Sequence, residues 1–267
     1  MKIGICIKQV PGTAQVEIDP VTGTLKRDGV ESKMNPYDLY ALETALRIKA
    51  LRDDVKLTAI SMGPPQAKEV LREAFMMGVD HAVLLSDRRF GGADVLATSR
   101  AIASGLKAAG PFDLIICGKQ TTDGDTAQVG AELAEFLNIP HVTNVCRIGE
   151  VTSDGITVDL DLPTRFETAH LPFPALITVD KGIFEPRLPS YRLKLATENK
   201  EITVLTLDDM EDRDPLHYGL NGSPTQVKRI FPPERTDVHE TWDGTEEELT
   251  DKLFQYLEDK KFLQIPG

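Results

Sequence analysis

Four short apolar runs rich in β-branched residues, Ile3 to Ile7, Leu57 to Ile60, Ala82 to Leu85 and Leu114 to Cys117, recur at intervals long enough to hold helices between them. Apolar runs without polar alternation read as strands buried on both faces, which is the signature of a parallel sheet. The intervals supply the helices. Asn35-Pro36 opens one that runs through about Arg52, with Leu39, Leu42 and Leu46 along one face. A second follows Met62-Gly63-Pro64 and stops at Gly78, a third runs from Asp94 to near Gly110, and a fourth begins near Thr126. This alternation predicts an α/β chain with a doubly wound parallel sheet, whose ligands sit beyond the carboxyl ends of the strands.

From about Val142 the pattern changes. Val151 to Val158 is β-prone around Asp154-Gly155, a hairpin signal, and Ala175 to Asp180 reads as another strand, so a small antiparallel extension of the same domain is expected. Beyond Gln226 the stretch holding Pro232-Pro233 has no strong period. It leads to a helix from Thr245 through Lys261 with Leu249, Leu253, Tyr256 and Leu257 on one face. The reading is a core domain over 1–225 and a C-terminal arm over 226–267 that packs on another chain or folds back on its own.

Composition narrows the function. A net charge of −12 without a dense Lys/Arg block argues against nucleic-acid and anionic-membrane binding, because both need phosphate-neutralising cations. No run approaches the roughly 18 apolar residues of a spanning helix, and the N-terminus lacks a signal-peptide core, so a cytoplasmic chain without membrane insertion is expected. Cys6, Cys117 and Cys146 are odd in number and widely spaced in apolar stretches, which fits reduced thiols rather than disulfides or a metal site. No catalytic residue is assigned: the five histidines are scattered, and no Ser or Cys sits in an elbow such as G-x-S-x-G. Neither G-x-G-x-x-G after a strand nor a P-loop is present, so a nucleotide would be held differently.

Two loops could hold it. Gly118 to Gly130 follows a strand and enters a helix; its small residues and the helix N-terminus could seat a phosphate near Thr126, Ala127, Gln128 and Val129. Asp123 and Asp125 would repel that phosphate unless they cap the helix or accept bonds from ribose hydroxyls, so a merely capped polar turn stays open. The second loop, Phe90 to Ser99, offers Asp94 as an N-cap and the Thr98 and Ser99 hydroxyls to a pyrophosphate or ribityl chain, or to their own helix backbone. Two such loops on one edge suit a dinucleotide such as FAD better than a mononucleotide.

Lys8-Gln9-Val10-Pro11, Asp19-Pro20, Asp28-Gly29-Val30, Met34-Asn35-Pro36-Tyr37-Asp38, Ala41-Leu42-Glu43, Met62-Gly63-Pro64-Pro65, Gly78-Val79-Asp80, Gly118-Lys119-Gln120, Asp123-Gly124-Asp125-Thr126-Ala127-Gln128 and Glu185-Pro186-Arg187 occur in order. Together they resemble the β subunit of electron-transferring flavoproteins (ETF) over nearly the whole chain. The resemblance implies a flavodoxin-like or adenine nucleotide alpha hydrolase-like core and an arm embracing an ETF α subunit in a heterodimer. It places an adenylate pocket on Cys6, Asn35, Pro36, Tyr37, Asp38, Met62, Gly118, Gln120, Thr121, Asp123, Gly124, Asp125, Thr126, Ala127, Gln128 and Val129.

Members of that family hold either a structural AMP there or a second FAD that bifurcates electrons from NADH. Gly91, Gly92, Asp94, Thr98 and Ser99 resemble the bifurcating group, with Val95 departing from its usual Thr, so FAD is expected and AMP is the alternative. The implied acceptors are ferredoxin or flavodoxin on one side and, through the α-bound FAD, a flavin-dependent dehydrogenase on the other. Glu185 to Leu195 resembles the family's dehydrogenase-docking segment. Tyr191, Arg192 and Leu193 stand at its anchor, Tyr191 where Leu is usual, which suggests a lactate-type rather than an acyl-CoA partner.

Overall fold

The computed structural model describes residues 1–12, 32–228 and 239–263. Asp19-Pro20, Asp28-Gly29-Val30 and Pro232-Pro233, singled out above, lie outside the described residues. The chain divides into two units, Met1–Lys228 and Arg229–Gly267.

The first unit is built on a nine-stranded sheet. In chain order its strands are β1 (Lys2–Cys6), β4 (Lys56–Met62), β5 (His81–Leu85), β6 (Leu114–Gly118), β7 (His141–Val151), β8 (Gly155–Leu162), β9 (Arg165–Pro172), β10 (Ala175–Val179) and β11 (Thr203–Leu205). A separate two-stranded ribbon pairs β2 (Gln9–Pro11) with β3 (Ser32–Met34). The order across the large sheet is β11-β5-β4-β1-β6-β10-β7-β8-β9. Every pairing from β11 to β7 is parallel, and only β7-β8 and β8-β9 are antiparallel.

The expected strand over Ala175 to Asp180 is present but differently placed. β10 is parallel and sits between β6 and β7, inside the sheet, and all five of its residues are buried. The antiparallel extension therefore consists of β8 and β9 added to β7, with Asp154 in the tight turn between β7 and β8.

Helices cover both faces, as burial on both sides of the strands requires. α1 (Pro36–Leu51) and α2 (Lys68–Met77) join Ile3, Ile5, Leu57, Ala59, Leu114 and Ile116 in one core. α3 (Val95–Ala109) and α4 (Val129–Leu137) cover Ile60, Val83, Leu85, Ile115 and Cys117 in the other. The alternation of core membership along each strand is the period-two rule, applied to a sheet buried twice. α5 (Tyr191–Ala196) lies against α2.

The second unit contains α6 (Glu246–Asp259), started by a capping box in which Thr245 and Glu248 satisfy each other's backbone N–H groups. No helix among the described residues is long and apolar enough to cross a membrane.

Candidate functional site

From β1 the chain crosses to β4 on one side; after β5 it returns by α3 to β6 on the other side of β1. The strand order reverses at β1/β6, and loops leaving such a pair in opposite directions open a crevice at its carboxyl end. Cys6 and Cys117 are aligned partners at this point, followed by Ile7-Lys8 and Gly118-Lys119.

The start of α1 fills the crevice floor. Asn35 stands at the N-cap position, yet its side chain makes no cap bond. It reaches across instead: Asn35 Nδ2 donates to the Gln120 carbonyl at 2.8 Å, and the Thr122 amide donates to Asn35 Oδ1 at 3.2 Å. Asn35 is fully buried, so both bonds form in a low-dielectric setting. Asp38, one turn on, accepts the Lys8 amide at 2.8 Å. Burial pushes its carboxyl up to about 7, against the opposing hydrogen bonds from Asn35 and Lys8. Gly118 must be glycine for this packing, because a Cβ would lie 2.5 Å from Asp38 Oδ1 and 2.8 Å from the Tyr37 carbonyl oxygen. Pro36 and Tyr37 are half-buried beside it.

Lys8 closes one side of the crevice. Its ammonium donates to both carboxylate oxygens of Asp123 at 2.8 Å, tying the segment after β1 to the loop after β6. Burial alone would raise the Asp123 pKa, but the bonds from Lys8 and Thr121 outweigh it and hold the group below its ordinary value. Asp125 accepts the Gln120 side-chain amide.

Neither acid caps α4, and its N-cap residue, Gln128, makes no side-chain cap bond. The first amides of α4 therefore keep the unpaired donors and partial positive charge that attract an anion. Gly124 to Gln128 is exposed, and Asp125 (φ 54°) and Ala127 (φ 55°) hold left-handed backbone there. The turn itself closes locally, with the Asp125 amide donating to the Thr121 carbonyl at 2.9 Å.

The second loop follows β5, two strand spacings from β1, or about 10 Å along the same sheet edge. Met62 at the end of β4 lies between them. Here the helix is capped: Asp94 accepts the Ala97 amide at 3.1 Å, and its other carboxylate oxygen accepts Thr225 N and Oγ1 at 3.0 and 2.7 Å. Gly91 and Gly92 receive the chain's own residues, with Leu220 N donating to the Gly91 carbonyl and the Leu220 side chain packed over Gly92. Thr98 is half-buried and donates its amide to the Asp94 carbonyl. Ser99 is fully buried, and its hydroxyl has no hydrogen-bond partner among the described residues.

The structure thus groups Cys6, Asn35, Pro36, Tyr37, Asp38 and the Gly118 to Val129 loop at one crevice, with Gly91, Gly92, Asp94, Thr98 and Ser99 further along the edge. Lys8 was missing from the expected site, although a lysine two residues past the first strand, facing an acidic loop, was a usable signal. Ser223 and Thr225 were missed because their contact with Asp94 spans 129 and 131 positions. Tyr191 and Arg192 are exposed and Leu193 half-buried on α5, away from both loops in sequence and on the α2 side of the sheet.

The architecture defines a doubly wound α/β protein with a polar crevice at its topological switch point. A family model for the electron transfer flavoprotein domain matches residues 22–210. The chain is 43% identical to the electron transfer flavoprotein subunit beta of Megasphaera elsdenii, covering 98% of this chain and 100% of that one. It is 44% identical to the corresponding subunit of Clostridium acetobutylicum over 98% and 100%. It is also 41% identical to the caffeyl-CoA reductase-Etf complex subunit CarD of Acetobacterium woodii, again over 98% and 100%. The chain belongs to the electron transfer flavoprotein family, as a β subunit, and its role is electron transfer.

Proposed function

We propose that the chain pairs with an ETF α subunit in the cytoplasm, holds FAD along the two-loop edge, and takes part in dividing electrons from NADH between ferredoxin or flavodoxin and a flavin-dependent dehydrogenase. The observation that carries the nucleotide reading is the uncapped N-terminus of α4 at the switch point, beside a loop whose two acids are already paired elsewhere. A phosphate fits those amides. Asn35 and Gly118 hold the loop against α1, and Asp38 keeps the Lys8 backbone in place.

Extension to a dinucleotide is supported by Ser99, whose buried, unpartnered hydroxyl lies in the second loop's helix and suits a hydrogen-bonding group of the ligand. When bound, a flavin would supply hydride acceptance and one-electron transfer. The residues here bind and orient it, and no acid or base is assigned. The relative in Acetobacterium woodii carries the name of a caffeyl-CoA reductase-Etf complex, which is in keeping with a dehydrogenase-linked role. The 226–267 arm is assigned to the α subunit, and Tyr191, Arg192 and Leu193 to the dehydrogenase.

A second reading rests on the second loop itself. Asp94 is committed to its own helix and to Thr225, and Leu220 covers Gly92, which leaves room for a mononucleotide at the first loop alone. AMP would then be structural. Co-purification with the α subunit, followed by the absorbance spectrum and mass of the released nucleotides, separates them: two FAD per heterodimer supports the first reading, and one FAD with one AMP the second.

A further inference from the structure

α5 buries none of its residues. Leu188, Tyr191 and Leu195, in and just before it, are 87%, 72% and 59% exposed. A six-residue helix without a core face cannot hold its position by apolar packing and needs pins at its ends.

The strongest pin is a buried carboxylate. Glu43, on the second turn of α1, has a side chain only 1% exposed. Its Oε2 accepts Arg187 Nε at 2.7 Å and Arg187 N at 3.2 Å, while Oε1 accepts Arg187 Nη2 at 3.0 Å and Arg47 Nε at 2.7 Å. The guanidinium of Arg47 in turn lies 5.6 Å over the Phe184 ring. Such a two-pronged Arg–carboxylate pair fixes direction as well as distance. Four residues past Arg187, α5 begins, and the Ser190 amide donates to the Met76 carbonyl of α2 at 2.9 Å. Glu43 is five residues from Asp38, about 7.5 Å along the same rigid helix that floors the nucleotide crevice.

We propose that Glu43 is a positioning residue: through Arg187 it sets Tyr191, Arg192 and Leu193 at a fixed place relative to the crevice at the head of α1. The inference rests on the reading of α5 as the dehydrogenase-docking segment and adds what holds that segment in register with the electron-carrying site. Glu43 is buried while Arg47 and Arg187 are 55% and 43% exposed, so the fork ties a surface segment to the rigid helix instead of filling the core.

The test uses the heterodimer with its α subunit, as wild type, Arg187→Gln and Arg187→Lys. Trypsin cleavage after Arg192 and Lys194 reads the order of α5, with cleavage after exposed Arg165 as internal reference. A flavin-linked lactate dehydrogenase and an acyl-CoA dehydrogenase serve as protein probes for KM and kcat. In Arg187→Gln, loss of the fork should speed α5 cleavage and raise KM for the coupling probe, each about tenfold, with kcat and nucleotide content unchanged. Arg187→Lys, which keeps the charge without the fork, should fall between and also serves if the Gln variant fails to fold. Unchanged α5 cleavage in both variants overturns the clamp. Faster cleavage with unchanged KM for both probes overturns the docking reading instead.

Discussion

Removing the Asn35 side chain with Asn35→Ala should cost about 3 kcal/mol, because its two bonds to the loop after β6 differ in what happens when they are lost. The Gln120 carbonyl is half-buried and would be left without its 2.8 Å donor, a loss of about 1–3 kcal/mol. The Thr122 amide belongs to an exposed residue that water can reach, so its 3.2 Å bond contributes only about 0.5–1.5 kcal/mol. For a chain of this size that sum lowers Tm by about 6–12 °C. The loss should be local in effect: the loop after β6 detaches from α1, and nucleotide content of the purified heterodimer falls with it. Differential scanning calorimetry and released-nucleotide assay read the two together. A Tm within 2 °C of wild type with full nucleotide content, about what a change below 1 kcal/mol produces, would show that Asn35 does not hold the loop.

Two further outcomes are expected. The Asp38 carboxyl, raised from 3.8 to about 7 by burial, stays protonated in the folded chain while the unfolded chain has already ionised; its stabilising contribution is whole below the unfolded value and is lost as pH climbs through about 7. Asp38→Asn, which imitates the protonated acid, should flatten the stability curve between pH 4 and 7 and exceed wild type at pH 8 by about 2–4 kcal/mol; parallel curves for the two proteins would refute this. Asp94→Ala should cost about 2 kcal/mol through the lost cap and the lost Thr225 bonds, with faster amide exchange at Ala97 and Thr225; unchanged exchange at Thr225 would remove the role assigned to that contact.

The four principal strands of the parallel sheet were legible because each is an unbroken apolar run, and the helices because Asn35-Pro36, Gly78 and Asp94 punctuate them. The place of β10 was not. Five consecutive buried residues look the same whichever neighbours they pair with, and insertion between β6 and β7 is decided by strands that both lie far earlier in the chain, Ala175 pairing with Leu114 and Leu176 with His141. β9, with Glu167, Thr168 and His170 on an edge, carries too little apolar character to be noticed, and β11 is only three residues long. At the site, position was easier to read than use. Asn35 does begin α1, but its amide serves another loop, and Asp94 does cap α3 while also gripping Thr225. A short polar side chain at a helix start can bond locally or distantly, and the tertiary fold makes that choice.

The left-handed backbone at Asp125 and Ala127, next to the bare amides of α4, is conformational strain of about 1–3 kcal/mol per residue. On the nucleotide reading proposed above, an anion seated there would offset that strain and make ligand occupancy part of the chain's folding equilibrium: at a hundred times its Kd a ligand adds about 2.7 kcal/mol. Nucleotide supply would then govern how much of the subunit survives proteolysis in the cell, and flavin or adenylate scarcity would appear as low abundance of the protein before it appeared as slow electron flow.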